Sequence, residues 1–108
     1  MPTPPPPSLP ASLARLNWDD LQHFLALAQR GAARPAGAAL GVSHTTVVRR
    51  VEALEAQLGA RLFDRHRDGF ELTEQGRRLL TAAARVEDEL AAAARDLAGR
   101  DARLEGVV

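Results

Sequence analysis

From residue 17 onward the apolar positions form three helical segments, the second short and weak, then one short alternating pair and one long heptad. Leu21, Phe24, Leu25 and Ala28 recur at helical spacing, so a first helix buries that face and ends near Gly31. Asn17 offers a side-chain oxygen to the free amides at its start, and Asp20, three residues on, completes a capping-box-like pattern. A second helix is short. Pro35 suits its first turn, because the amide that proline lacks would have no partner there. Arg34 is a poor cap, and Gly37 inside the helix costs about 0.5–1 kcal/mol against alanine. This helix is therefore locally weak, and Gly37 has a reason only if another backbone approaches it closely. Gly41 then ends the helix, Val42 plugs the core and Ser43 caps the next helix, a three-residue turn of the length that sets two helices roughly perpendicular.

The third helix is predicted from about His44 to Gln57. Val47, Val51, Leu54 and Leu58 line its buried side, leaving His44, Thr45, Val48, Arg49 and Glu52 pointing largely the other way. Gly59 closes it, and Leu62 and Phe63 supply apolar anchors. Asp68-Gly69 between Arg65 and Phe70 signals a tight hairpin with His66, Arg67 and Asp68 at its tip. Thr73 caps a final helix that runs to about Leu97. Along it Leu79, Ala83, Val86, Leu90, Ala93 and Leu97 alternate in steps of four and three, a heptad seam too long and narrow to be hidden against so small a domain. That seam is expected to pack against a second copy. The predicted fold is mainly α: a helix-turn-helix with a two-stranded wing and a long C-terminal helix.

At 108 residues the chain has room for one small domain and an extension. Residues 1–15 form a proline-rich lead, with six prolines before residue 12, and are expected to be disordered. Cysteine is absent, which excludes disulfides and thiolate metal sites. His23, His44 and His66 fit no metal-ligand spacing, so no metal or cofactor is expected. No apolar run reaches membrane-span length and the N-terminus lacks the order of a secretory signal, so the expected location is cytoplasmic. The formal net charge of zero argues against a nucleic-acid partner until its distribution is considered. Between Arg34 and Arg67 six arginines face only Glu52, Glu55 and Asp64, a local balance of +3. A helix and an arginine-rich hairpin presented together suit a partner with grooves, namely duplex DNA.

Ser43-His44-Thr45-Thr46-Val47, followed by Arg49, Leu54-Glu55, Leu58-Gly59, Leu62-Phe63, Arg65 and Leu72-Thr73-Glu74-Gln75-Gly76, resembles the DNA-binding domain of LysR-type transcriptional regulators. The resemblance covers about residues 16–98. It implies a winged helix-turn-helix over 16–73, a linker helix over 74–98 that makes a homodimer, and a C-terminal effector-binding domain. Residues 99–108 are then a hinge and, from about Leu104, the first strand of that effector domain, which this chain lacks, so a small-molecule effector acts only through the missing part. The resemblance places base contacts on His44, Thr45, Thr46, Val48 and Arg49. Backbone or minor-groove contacts fall on Arg34, Ser43, Arg50, Arg65 and Arg67, and dimer contacts on Leu79, Ala83, Val86, Leu90, Ala93 and Leu97. The chain departs from the family where His44 stands for a more usual glutamine, Thr45 for proline, Val48 for serine or threonine, Arg34 for serine or threonine, and Gly37 for alanine.

Each assignment has a plainer competitor. Arg50 can meet a phosphate, a base or a carboxylate of its own chain; Arg65 and Arg67 can be a solvated hairpin; Trp18 reads as packing, and Asp19-Asp20 as first-turn acids favoured by the helix dipole. The rival to DNA binding is a winged-helix module for protein–protein interaction. No nucleophile, acid–base pair or metal cluster indicates an enzyme.

Overall fold

A computed structural model describes the backbone of residues 15–106 and the side chains of residues 15–99. The proline-rich lead up to residue 14 lies outside the described residues. Six elements run in order along the chain: α1 (Trp18–Arg30), α2 (Ala33–Leu40), α3 (His44–Leu58), β1 (Phe63–His66), β2 (Gly69–Leu72) and α4 (Glu74–Gly106). The two strands are antiparallel, with Phe63 opposite Leu72 and His66 opposite Gly69. The fold is thus a winged helix-turn-helix followed by one long helix.

Local chemistry marks each boundary. The Asn17 side chain accepts a hydrogen bond from the Asp19 amide at 2.8 Å, and Ser43 Oγ accepts one from the Thr46 amide at 3.2 Å. Thr73 Oγ1 accepts from the Gly76 amide at 3.0 Å while donating to the Arg61 carbonyl. Caps of this kind each contribute about 1 kcal/mol. Helices α1, α2 and α3 close on Gly31, Gly41 and Gly59, all left-handed. By contrast α2 begins on Ala32 with no side-chain cap, two residues before Arg34, and holds Pro35 in its first turn.

Leu21, Phe24, Leu25 and Leu27 of α1, Ala36 of α2, Val47, Val51 and Leu54 of α3, and Leu62 and Phe63 make one core. Phe24 meets Phe63 at 5.4 Å with the rings tilted by 52°, and Phe63 meets Phe70 edge-on at 6.0 Å, so an aromatic relay ties the wing to α1. The weak helix α2 is held by fit. A Cβ on Gly37 would stand 2.6 Å from the Val42 carbonyl oxygen and 3.2 Å from the His44 amide nitrogen, so the missing side chain is what lets the turn close over α2. Val42 donates to the Gly37 carbonyl at 2.9 Å, and this turn geometry leaves its side chain 36% exposed instead of plugging the core.

Three further expectations change. Asp20 does not complete a capping box; it is buried and faces α3. The turn residues of the wing are Arg67 and Asp68, with Gly69 already the first residue of β2. Finally, α4 does not stop near Leu97 but continues to Gly106, so Leu104 to Gly106 are helical and start no strand. Between Leu97 and Gly106 only Gly99 interrupts a run of helix-favouring alanine, arginine and leucine with acidic residues, too little to end a helix already more than six turns long.

Candidate nucleic-acid interface

The outward surface is built on α3. Successive residues turn by about 100°, and the core occupies the side of Val47, Val51 and Leu54. The opposite stripe is therefore Thr45, Arg49, Glu52 and Ala56, all exposed. His44, in the first turn, lies nearer the azimuth of Val51 than that of the stripe but is exposed, because no preceding turn covers it. His44, Thr45, Arg49 and Glu52 make no side-chain hydrogen bond or ion pair among the described residues. Their polar atoms stand ready for an external partner.

The two flanks of the stripe differ. On the wing side Val48 is half-buried and lines a cleft of about 180 Å³ with Val51, Glu52, Phe63, Arg65 and Phe70. Val48 is thus an edge residue of the reading surface. On the α1 side Thr46 is half-buried and its hydroxyl lies 2.9 Å from the Ser43 hydroxyl, so both are already engaged in the cap. Arg50 is turned inward. Its guanidinium sits 3.3 Å from the Asp20 carboxylate and 3.7 Å from that of Asp19, the intramolecular pairing among the alternatives read for it, and this explains why Asp20 is tolerated in the interior. Thirty residues separate this pair, so no local pattern announces it.

Beyond the cleft stands the wing. The guanidinium of Arg65 lies 5.2 Å from the centre of the Phe70 ring, its partner across the strands, so the arginine is held over the ring while the residue stays exposed. Arg67 is exposed at the turn and Arg34 is exposed in the first turn of α2. At the tip His66 Nε2 lies 3.1 Å from Glu71, and Arg61 bridges Asp64 at 3.1 Å. Arg34, Arg65 and Arg67 remain without a carboxylate partner among the described residues.

The scaffold behind this surface depends on a residue whose role the sequence pattern did not disclose. Glu55 accepts hydrogen bonds from the amides of Leu62 at 2.7 Å and Phe63 at 3.4 Å, fixing the entry to the wing from α3. Gly76 admits the Leu62 carbonyl against the first turn of α4, where a Cβ would also stand 2.9 Å from Leu72 Cδ2. Leu54-Glu55, Leu62-Phe63, Thr73 and Gly76 are therefore structural residues.

The seam on α4 divides. Ala83 is 3% exposed and Leu79 packs against the core, so both serve the domain itself and are removed from the expected dimer contacts. Val86, Leu90 and Leu97 are 47, 54 and 62% exposed, and Ala93 is exposed beside them. No described helix is long and apolar enough to cross a membrane.

The sequence profile of the bacterial regulatory helix-turn-helix protein, lysR family, matches residues 18–77. The uncharacterized HTH-type transcriptional regulator YdcI of Escherichia coli (strain K12) is 39% identical over 83 residues, covering 77% of this chain and 27% of that protein. The regulator TcbR of Pseudomonas sp. (strain P51) is 38% identical over 87 residues, covering 74% of this chain and 30% of that one. The chain thus spans less than a third of the length of these relatives. Among solved structures, the complex of the CbnR DNA-binding domain with DNA superposes with a TM-score of 0.70 at 36% identity, covering 81% of this chain and 99% of that one. Full-length CbnR on its target DNA gives 0.69 at 36% identity, covering 77% and 28%.

Proposed function

The chain belongs to the lysR family of bacterial regulatory helix-turn-helix proteins, and from that premise we propose that it binds specific double-stranded DNA as a homodimer and regulates transcription. The observation that carries this reading is the partnerless outward stripe of α3 beside an arginine-bearing wing, in a fold shared with a domain solved on DNA. In this reading α3 enters the major groove by its N-terminal end. His44, Thr45 and Arg49 meet base edges, Val48 offers methyl contact from the edge, and Thr46 and Ser43 hold the helix start against the sugar–phosphate backbone. Arg34, Arg65 and Arg67 supply phosphate or minor-groove contacts, which give attraction without sequence information. Such a chain works in the cytoplasm, where bacterial operators are.

Dimerisation falls to Val86, Leu90, Ala93 and Leu97 of α4, because this stretch has no cover within its own domain. Two copies joined there would place their recognition helices in successive major grooves, about one helical turn or a multiple apart, on an imperfect inverted repeat. A response to a small-molecule effector is assigned to the part of the relatives that lies beyond the match. The test is titration of labelled duplex by the 108-residue chain at rising salt. Specific binding that weakens steeply with salt supports the reading, and equal affinity for all duplexes at every salt concentration contradicts it.

A further inference from the structure

We infer that Glu52 is a specificity-determining residue that accepts a hydrogen bond from the exocyclic amine of a cytosine close to the base read by Arg49. This rests on the proposed DNA binding. Glu52 lies on the wing-side edge of the outward stripe, three residues after Arg49 and seven after Thr45, exposed and lining the mouth of the cleft with Val48 and Arg65. It is one turn along the helix from Arg49, rotated from it by about 60°.

Its carboxylate is also unspent. The helical neighbours four residues away are Val48 and Ala56, so neither supplies a cation, and no ion pair joins it to Arg49. Arg65, across the cleft, is stacked over Phe70. Several carboxylates around the surface are engaged elsewhere: Glu55 by the amides of Leu62 and Phe63, Asp20 by Arg50, Asp64 by Arg61 and Glu71 by His66, whereas Asp68 is exposed at the wing turn, off the helix.

A free carboxylate on a face that meets a polyanion is repelled by every phosphate near it, and a base that donates to it offsets the cost directly. In the major groove guanine and thymine present acceptors at their edges, and thymine adds a methyl. Adenine pairs its amine with the N7 acceptor, which opposes the second carboxylate oxygen. Cytosine offers the N4 amine without that acceptor, and so is the base that fits. Three residues of α-helix advance about 4.5 Å, against about 3.4 Å per base step, which sets the cytosine within one or two base pairs of the Arg49 contact.

The experiment selects duplexes from a random pool with the whole 108-residue chain, as wild type, Glu52→Ala and Glu52→Gln. Both replacements are good helix formers at an exposed position, and circular dichroism melting checks that the fold is kept. The wild type should enrich one cytosine per half-site, and its replacement by thymine should weaken binding about five- to tenfold. Glu52→Ala should lose the preference at that position alone while binding scrambled duplex severalfold more tightly. Glu52→Gln should convert the position to adenine, whose N6 and N7 match a carboxamide. An unchanged motif in all three proteins, even with tighter overall binding by Glu52→Ala, overturns the inference and leaves the DNA-binding reading standing. A wild type that enriches no motif removes both.

Discussion

The carbonyl oxygen of Gly31, at the close of α1, accepts the amide of Phe70 at 3.0 Å and lies directly against Gly69. A Cβ on Gly69 would fall on that oxygen, and the residue has a φ of +146° that side chains rarely adopt. The wing is thereby docked on the helix end by a backbone contact that adds to the aromatic contacts of Phe24, Phe63 and Phe70. Gly69→Ala should lower stability by about 2–4 kcal/mol, combining strain and overpacking. Gly31→Ala meets open space and should cost only about 1–2 kcal/mol for its left-handed backbone. Urea denaturation of both variants checks the order, and equal midpoints would contradict the docking.

Arg49 and Arg50 are neighbours with opposite duties. Arg49→Ala should weaken specific DNA binding by about 1–3 kcal/mol and largely spare nonspecific affinity. Arg50→Ala should instead destabilise the fold by about 1–2 kcal/mol, since it strands the buried Asp20 carboxylate, and should change the specific-to-nonspecific ratio little. Adding Asp20→Asn to Arg50→Ala should recover part of that loss. Anisotropy titrations and thermal melts on the same preparations separate the two effects, and losses of specificity that match for the two alanines would refute the division.

Glu55 is predicted to matter for folding alone. Glu55→Ala leaves the amides of Leu62 and Phe63 without their acceptor, at a cost of about 1–3 kcal/mol, whereas Glu55→Gln keeps one acceptor oxygen and should lose less. Chemical unfolding gives the comparison. A difference below about 0.5 kcal/mol between Glu55→Ala and wild type, the range of ordinary surface changes, would be incompatible with this role.

Charge placed in α4 should act according to depth. Leu90→Asp, at a 54% exposed position, should yield a folded monomer by sedimentation. Ala83→Asp, at a position 3% exposed within the domain core, should disrupt folding itself. A folded Ala83→Asp monomer would show that the division of the seam lies elsewhere.

The elements are legible in the sequence because their ends carry local signals: Asn17, Ser43 and Thr73 cap, and Gly31, Gly41 and Gly59 close. Gly37 reads as a close-approach glycine from its presence in an otherwise poor helix. What escapes the sequence depends on distance or on the partition of a continuous pattern. Asp20 and Arg50 meet across thirty residues, so Asp20 reads as a local cap, and a carboxylate of its own chain is only one of three partners open to Arg50. The heptad from Leu79 to Leu97 is unbroken in sequence, and only the path of the chain decides that Leu79 and Ala83 are covered while Val86 onward is bare. Val42 reads as a core plug because valine is apolar, yet the turn that satisfies its amide turns its side chain outward. Glu55, Thr73 and Gly76, which belong to the motif that carries the family resemblance, are informative chiefly about scaffold, since each holds the fold together.

Because α4 runs without interruption from the wing to Gly106, Ala83 and Leu90 are two readings on one dial. Each residue inserted between them would rotate the far stretch by about 100° against the near one and advance it by about 1.5 Å. Azimuth, and not length, is therefore what such a change would disturb. One added residue would swing the bare leucines to a different compass bearing from α3, and four would bring them almost back, to within about 40°.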